Sequence, residues 1–404
     1  MTESPKAPLA RACGFGIALC LLLEINSVLR GIRFPGIWAY THYLFNYDQG
    51  FIRRGLIGAI VRLIDIPILY SYRFFAIYSL TILLINLLLL SRLMARSIKH
   101  GGCFFIWPAM VFSSSMGVVF LAHIVGYSDQ IGLLFTLAVL NIGNAKAKFI
   151  TALIGTPLCL LIHEAFFIIY FPILAFTLLT TNFIPVNTKY AALLIYGILT
   201  ASITLFLINS TTSPQISKQE YTSAQSRATA PLRRGAFAVF SNDSAKDRVI
   251  MDIIWHKKGH VAQFIESLSV TIPSALLIMA ATVIYLLRNE ATPIAIVLAL
   301  AASLSPLTLH IVAWDMHRFN ALSILTAYLV FLSASSYRKK HKKTVFKREY
   351  LLHASMVICS IANLFLSIPL FDSYQVKQFP YKEHIDYLSS VAHGENPIIE
   401  IPRR

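Results

Sequence analysis

Charged residues are scarce in this sequence, at 13% of 404 positions. A soluble domain carries about 25%, so the composition argues against a water-soluble globular protein. Acidic residues are scarcer than basic ones: there are 19 Asp and Glu against 35 Lys and Arg, which gives a net charge of +16. In a membrane protein such an excess indicates anchoring at the cytoplasmic surface or attraction to lipid phosphates. No nucleic-acid-binding motif accompanies it, so we expect no nucleic-acid partner.

The sequence also has few cysteines and lacks several common site motifs. Its five cysteines all lie in or beside apolar runs and form no CxxC pair, so we predict no disulfides. There is no P-loop or Rossmann signature, and therefore no expected nucleotide site. A zinc-binding HExxH helix is excluded at His163 because the fourth residue after it is Phe167.

Apolar runs dominate what remains, with 56% hydrophobic residues and a mean hydropathy of +0.64. Many runs reach the roughly 20 residues that a helix needs to cross a bilayer. We therefore predict an all-α polytopic membrane protein with about eleven spans. They are placed near 12–29, 74–91, 103–121, 131–143, two short spans within 149–183 that meet at His163 and Glu164, 190–208, 268–287, 293–312, 319–336 and 351–370.

Four parts follow from this pattern: an N-terminal transmembrane module (1–208), a long extracytoplasmic loop (209–266), a C-terminal transmembrane module (267–370) and a polar extracytoplasmic tail (371–404). Residues 51–70 mix arginines with apolar residues, which predicts an amphipathic helix lying in the membrane interface after the first span. Counting membrane crossings from the N-terminus puts the candidate site residues described below on the same side of the membrane. Short basic loops mark the other side as cytoplasmic, although the arginine-rich first loop argues against that orientation.

Asp48 and the Arg53–Arg54 pair follow the first span. A carboxylate just above the bilayer can act as a general base or help to hold a divalent cation. Two adjacent arginines can grip a phosphate bidentately. The alternative is that the arginines anchor an interfacial helix at lipid head groups.

Three further acidic or histidine positions interrupt apolar sequence: Asp129, His163 and Glu164. Ionisable groups at membrane depth are costly and usually functional. We interpret Asp129 as a second catalytic acid and the His163–Glu164 pair as binding substrate hydroxyls or moving protons. The alternatives are a helix cap for Asp129 and an ordinary turn for the pair.

Trp314, Asp315, His317 and Arg318 place an aromatic ring, an acid, an imidazole and a guanidinium within five positions. The ring can stack on a sugar, and Arg318 can bind a phosphate. The alternative is that Trp314 belongs to an aromatic belt at the membrane interface and that Arg318 snorkels to the membrane surface. Arg233 and Arg234 in the long loop are candidates for binding a polyanion or a lipid phosphate, or are simply solvated.

This arrangement of acids in successive outer loops, with an interfacial helix between them, resembles the GT-C superfamily of membrane glycosyltransferases. The resemblance implies sugar transfer from a polyprenyl-phosphate donor to a glycan or lipid-linked acceptor, at the extracytoplasmic face of the plasma (inner) membrane. It matches Asp48 and Asp129 to the family's acids, and Arg53 and Arg54 to the basic residues beside the donor phosphate. The chemistry of the leaving phosphate makes Arg318 a further candidate for binding it. Gln49 follows Asp48 where the family has paired acids, so a requirement for a divalent cation, Mg²⁺ or Mn²⁺, stays open. The alternatives are a lipid-linked oligosaccharide polymerase of the O-antigen type, a transporter or flippase, and an O-acyltransferase.

Overall fold

A computed structural model describes residues 6–181, 186–210, 214–240, 258–311, 315–335, 337, 349–370 and 374–393. Within these ranges every regular element is helical, in agreement with the predicted all-α class. The α-helices of the first half are Lys6–Gly31 (α1), Ile37–Tyr43 (α2), Leu56–Ile64 (α3), Tyr72–Gly101 (α4), Ile106–Ser114 (α5), Met116–His123 (α6), Asp129–Asn141 (α7), Ala145–Ile162 (α8), Phe166–Ile169 (α9) and Phe171–Thr180 (α10). Those of the second half are Val186–Asn209 (α11), Pro214–Arg227 (α12), Lys258–Arg288 (α13), Pro293–Leu304 (α14), Met316–Ala334 (α15), Glu349–Phe365 (α16) and Lys382–Ala392 (α17).

Among the described residues, six helical stretches are long and apolar enough to cross a membrane: Arg11–Gly31, Tyr72–Ser114, Ala145–Ile162, Lys189–Asn209, Val261–Arg288 and Pro293–Ile311. Three shorter apolar helices accompany them: Asp129–Asn141, Phe166–Thr180 and Glu349–Phe365. Large apolar side chains on these helices stay exposed, such as Leu194 at 65% and Phe206 at 61% on α11. An exposed apolar surface of this kind is what a helix in lipid presents. The chain is a helical membrane protein by these criteria.

The Tyr72–Ser114 stretch folds back on itself at residues 102–105, because Gly102 has a positive φ of 75° and ends α4. Hydrogen bonds to α1 show the reversal. Glu24 of α1 accepts from Ser91 of α4, whereas Ser27 of α1 donates to the carbonyl of Ser113 in α5. Earlier along α1, Cys13 contacts Ile98 of α4 and Cys20 contacts Ile106 of α5, so α1 runs antiparallel to α4 and parallel to α5. Glu24, an acid within the first span, therefore has a hydroxyl group as its partner.

Helix α15 forms the centre of the bundle, and all of its residues from Arg318 to Ala334 are buried. Helices α6, α10, α13 and α14 pack around it. The predicted break at His163 and Glu164 is confirmed, because α8 ends at Ile162 and α9 begins at Phe166. By contrast, α13 begins at Lys258, inside the segment that the sequence assigned to the long loop.

A second, smaller core sits beside the bundle and is called the cap here. It consists of the first loop with α2 and α3, the start of α4, and residues 214–240 of the long loop. The rings of Phe45 and Phe237 lie 4.6 Å apart at its centre. Gly58 of α3 lies against the backbone of Phe45, where any Cβ would overlap the carbonyl oxygen. Residues 214–240 of the long loop thus fold onto the first loop.

Candidate functional site

A buried ion pair joins α7 to α15 at one end of the bundle. Asp129 is the first residue of α7, and its carboxylate accepts a hydrogen bond from the Arg318 guanidinium. The side chains are 2% and 9% exposed, respectively. Arg318 also donates to Asp315 at 3.1 Å, and the Asp315 side chain is 34% exposed. A buried charge needs such partners because its desolvation costs several kcal/mol, so Asp129 and Arg318 depend on each other.

A second ion pair joins the first loop to the break between α8 and α9. Arg54 donates to the two carboxylate oxygens of Glu164 at 3.0 and 2.5 Å. Arg54 adopts a left-handed backbone conformation, φ 64°, in the turn before α3. Burial opposes the ionisation of Glu164, but the adjacent Arg54 outweighs it and holds the pKa of this carboxyl below its usual range.

His163 lies between the two ion pairs. Its Nδ1 accepts a hydrogen bond from the backbone N–H of Ala165 at 3.0 Å, which requires that nitrogen to be unprotonated. Burial, together with the positive charge of Arg54, lowers the pKa of His163 to about 4. Burial also lowers the pKa of His42 on α2, again with a contribution from Arg54. The imidazole of His163 is therefore neutral near pH 7.

A cavity of about 10 Å³ is lined by both Asp129 and His163. This volume holds about one water molecule and cannot admit a sugar. Asp129, His163, Glu164, Arg54, Arg318 and Asp315 are therefore brought together as one network, which we call the buried charge network. It joins residues that are far apart in the sequence and is closed to larger ligands in this conformation.

Asp48 lies in a different place, at the outer edge of the cap. Arg62 of α3 donates to its carboxylate at 2.8 Å, and Arg227 at the end of α12 lies 3.4 Å from the same oxygen. The Asp48 side chain is 30% exposed, and its backbone N–H is held by the side chain of Asn46 at 2.7 Å. Asp48 thus presents a carboxylate between two guanidinium groups at the surface.

The two adjacent arginines of the sequence do not flank Asp48. Arg53 is buried, and Arg54 turns to Glu164. The arginines beside Asp48 are Arg62 and Arg227, which the sequence reading did not select. Arg62 could have been found from its place on the polar side of the amphipathic α3, whereas no local pattern indicates Arg227.

The remaining predicted residues are dispersed. Arg233 and Arg234 are exposed in the cap; the backbone N–H of Arg233 donates to Thr41 at 3.0 Å, and the Arg234 guanidinium lies 5.3 Å from the centre of the Tyr221 ring. His317 is half-buried at the start of α15. Trp314 lies outside the described residues.

Glu220 of α12 is a further buried acid that sequence reasoning passed over. It has no exposed surface, and its carboxyl accepts the backbone N–H of Asn46 at 3.1 Å. Burial, with a contribution from the nearby negative charge of Asp48, raises the pKa of Glu220 to about 7. Among the described residues, no three His, Cys, Asp or Glu side chains are placed to bind one metal ion together.

No protein-family model matches the chain, and no curated protein or solved structure matches it either.

Proposed function

We propose that this protein is a membrane glycosyltransferase of the GT-C type. It would move a sugar from a polyprenyl-phosphate donor to a glycan or lipid-linked acceptor. The observation that carries the proposal is the position of Asp48 between Arg62 and Arg227, beside the apolar surface of α3. A base, two cations and a lipid-facing surface are the elements that this reaction needs in one place.

Helix α3 supplies the lipid-facing surface. Its apolar side chains Ile60, Leu63 and Ile64 are 50%, 86% and 51% exposed, and Ile66 and Ile68 continue the surface beyond the helix. A helix of this kind lies in the membrane interface with its apolar side among the acyl chains. The prenyl chain of a donor would run along this surface, and its phosphate would sit at the level of Arg62.

In the proposed reaction the acceptor hydroxyl gives its proton to the Asp48 carboxylate. The hydroxyl oxygen forms a bond to the anomeric carbon of the sugar as the bond from that carbon to the phosphate oxygen breaks. The phosphate leaves with the electron pair, and Arg62 and Arg227 balance the charge that develops on it. A positioned general base contributes about 10²- to 10⁴-fold to such a rate.

The proposal includes a topology of about eleven spans with the cap and the buried charge network on the extracytoplasmic face of the plasma membrane. The six long and three shorter apolar helices support it, together with the reversal between α4 and α5 and the buried α15. Three of the first-loop arginines have partners inside the protein: Arg30 and Arg33 donate to backbone carbonyls, and Arg54 pairs with Glu164.

The test compares surface glycans by mass spectrometry from the wild type, a gene deletion, and strains expressing Asp48→Asn or Asp65→Asn at equal level. Asp65 is the matched control, because it also pairs with Arg62 at 3.0 Å but plays no part in the proposed step. We expect the deletion and Asp48→Asn to lack one defined sugar while Asp65→Asn retains it. Loss of long chains with single repeats retained would instead identify a polymerase. Unchanged glycans in the deletion strain would refute the proposal.

A second candidate, a transporter or flippase, is favoured by the buried charge network. Chains of ionisable groups at membrane depth are used as ion or proton pathways. In that case the deletion and Asp129→Asn would both accumulate a complete lipid-linked intermediate, and Asp48→Asn would not. Normal levels of lipid-linked intermediates in Asp129→Asn would exclude this candidate.

A further inference from the structure

A cavity of about 700 Å³ lies at the opposite end of the bundle from the buried charge network. The helices themselves establish the separation. Asp129 begins α7 and Arg318 lies in the first turn of α15, whereas Leu140 and Ser333, near the other ends of these helices, line the cavity. At 1.5 Å per residue, α15 is roughly 28 Å long. The cavity therefore belongs to the other membrane face and is large enough for a small molecule.

The charges lining this cavity all have one sign. Arg96 of α4, Lys148 of α8 and Lys189 of α11 line it together with His100, and none of the described residues around it is an Asp or a Glu. Hydroxyl groups of Thr180, Ser333 and others complete the polar part of the wall. Basic residues at a cytoplasmic surface normally extend into water, so burial of lysines here needs another explanation.

Both lysines that line the cavity are more than nine-tenths buried. Lys189 is 6% exposed and donates to the carbonyls of Leu179 and Thr181 at 2.9 and 3.0 Å, at the C-terminal end of α10. Lys148 is 7% exposed, and no described residue offers it a hydrogen bond or a carboxylate. It lies in the first turn of α8, where the helix dipole adds further positive charge, and it is close enough to Arg96 for their charges to repel. A bound anion would offset the repulsion between these positive charges.

The wall also has an apolar part, which includes Leu93, Phe105 and Leu140. We propose that the cavity binds the phosphate group of an amphiphile, with Lys148 and Arg96 on the phosphate and these side chains against the acyl or prenyl portion. This site is separate from the donor site proposed at Asp48 and does not depend on it. A phosphorylated lipid fits both parts of the wall, whereas inorganic phosphate fits the cationic part alone.

The proposal is tested with the purified full-length protein in a non-ionic detergent. The probes are dihexanoyl phosphatidic acid, dihexanoyl glycerol as its uncharged counterpart, and inorganic phosphate, with binding measured by titration calorimetry. We expect the phosphatidic acid to bind and the uncharged lipid not to. Lys148→Gln should weaken binding about tenfold or more, since a hydrogen bond to a charged group is lost. Lys148→Arg should retain it.

Two control variants and one further cavity variant separate this site from other causes. Lys146→Gln removes an exposed charge from the same helix that does not line the cavity, and should leave binding unchanged. Arg62→Gln alters the proposed donor site and should also leave it unchanged. Arg96→Gln, at an exposed position, should weaken binding without affecting folding. Equal affinity for the uncharged lipid, or equal losses in Lys146→Gln and Lys148→Gln, would overturn the proposal. Equal binding of inorganic phosphate would overturn the lipid part.

Discussion

Removing Arg318 should destabilise the protein more than removing either of its acidic partners. In Arg318→Met the 2%-exposed Asp129 side chain loses its ion-pair partner while remaining in the bundle. Breaking a buried pair from one side costs about 3–5 kcal/mol. In Asp129→Asn the arginine keeps Asp315, so we expect only about 1–3 kcal/mol. Asp315→Asn is the control, because this partly exposed ion pair contributes less than about 1 kcal/mol.

The double variant Asp129→Asn/Arg318→Met provides the decisive comparison. It leaves no buried charge unpaired, since Asp315, which also loses Arg318, is 34% exposed, so its cost should fall below the sum of the single costs by about 0.5–3 kcal/mol. The measurement is equilibrium unfolding in mixed micelles at pH 7, with all four variants in the same micelles. Additive costs, or an Arg318→Met variant as stable as Asp315→Asn, would show that the two side chains are not coupled as the structure indicates.

Two further predictions concern pH. The pKa of His163 falls to about 4 in the folded state, from about 6.5 in an unfolded chain. Between about pH 6.5 and 4 the unfolded chain therefore binds a proton at His163 that the folded protein does not. The free energy of unfolding should drop by roughly 3 kcal/mol as pH falls through this window. His163→Asn keeps an acceptor for the Ala165 N–H and should flatten this dependence in unfolding titrations; an unchanged slope would contradict it. The pKa of Glu220 is raised from its usual 4.5 to about 7, so its contribution to stability is present below about pH 4.5 and is lost as pH rises to about 7. Hydrogen exchange of the α12 amides, corrected for intrinsic rates, should speed up between pH 5 and 7 in the wild type but not in Glu220→Gln, and equal behaviour would refute the assignment.

The sequence alone was sufficient for features that depend on local patterns. The 149–183 run is too long for one crossing, and its only Asp, Glu, His, Lys or Arg residues, His163 and Glu164, mark the break that the structure has. The amphipathic character of α3 also followed from its own residues. These features are set by the length of a helix against the membrane thickness and by which side of a helix is apolar.

Pairings between distant segments were not accessible in the same way. Arg54 meets Glu164 across 110 positions and Arg318 meets Asp129 across 189, and no spacing rule reports such contacts. The adjacency of Arg53 and Arg54 suggested a shared task, but the left-handed turn at Arg54 separates their side chains. Helix α12 escaped notice because it has no apolar stripe, and it is held on the first loop by contacts such as Glu220 with Asn46.

The hydrogen bonds of Arg30 to distant carbonyls have a consequence for the insertion and folding of the chain during synthesis. Its guanidinium is almost fully buried and donates to the carbonyls of Asn363 and Leu366 at the end of α16. The first of these acceptors lies 333 residues further along the chain. At about 5–20 residues per second, translation takes roughly 17–67 s to reach it. During that interval the newly inserted first helix carries a cation without its final acceptors, so a chain truncated before α16 would display a polar defect at the edge of its first span.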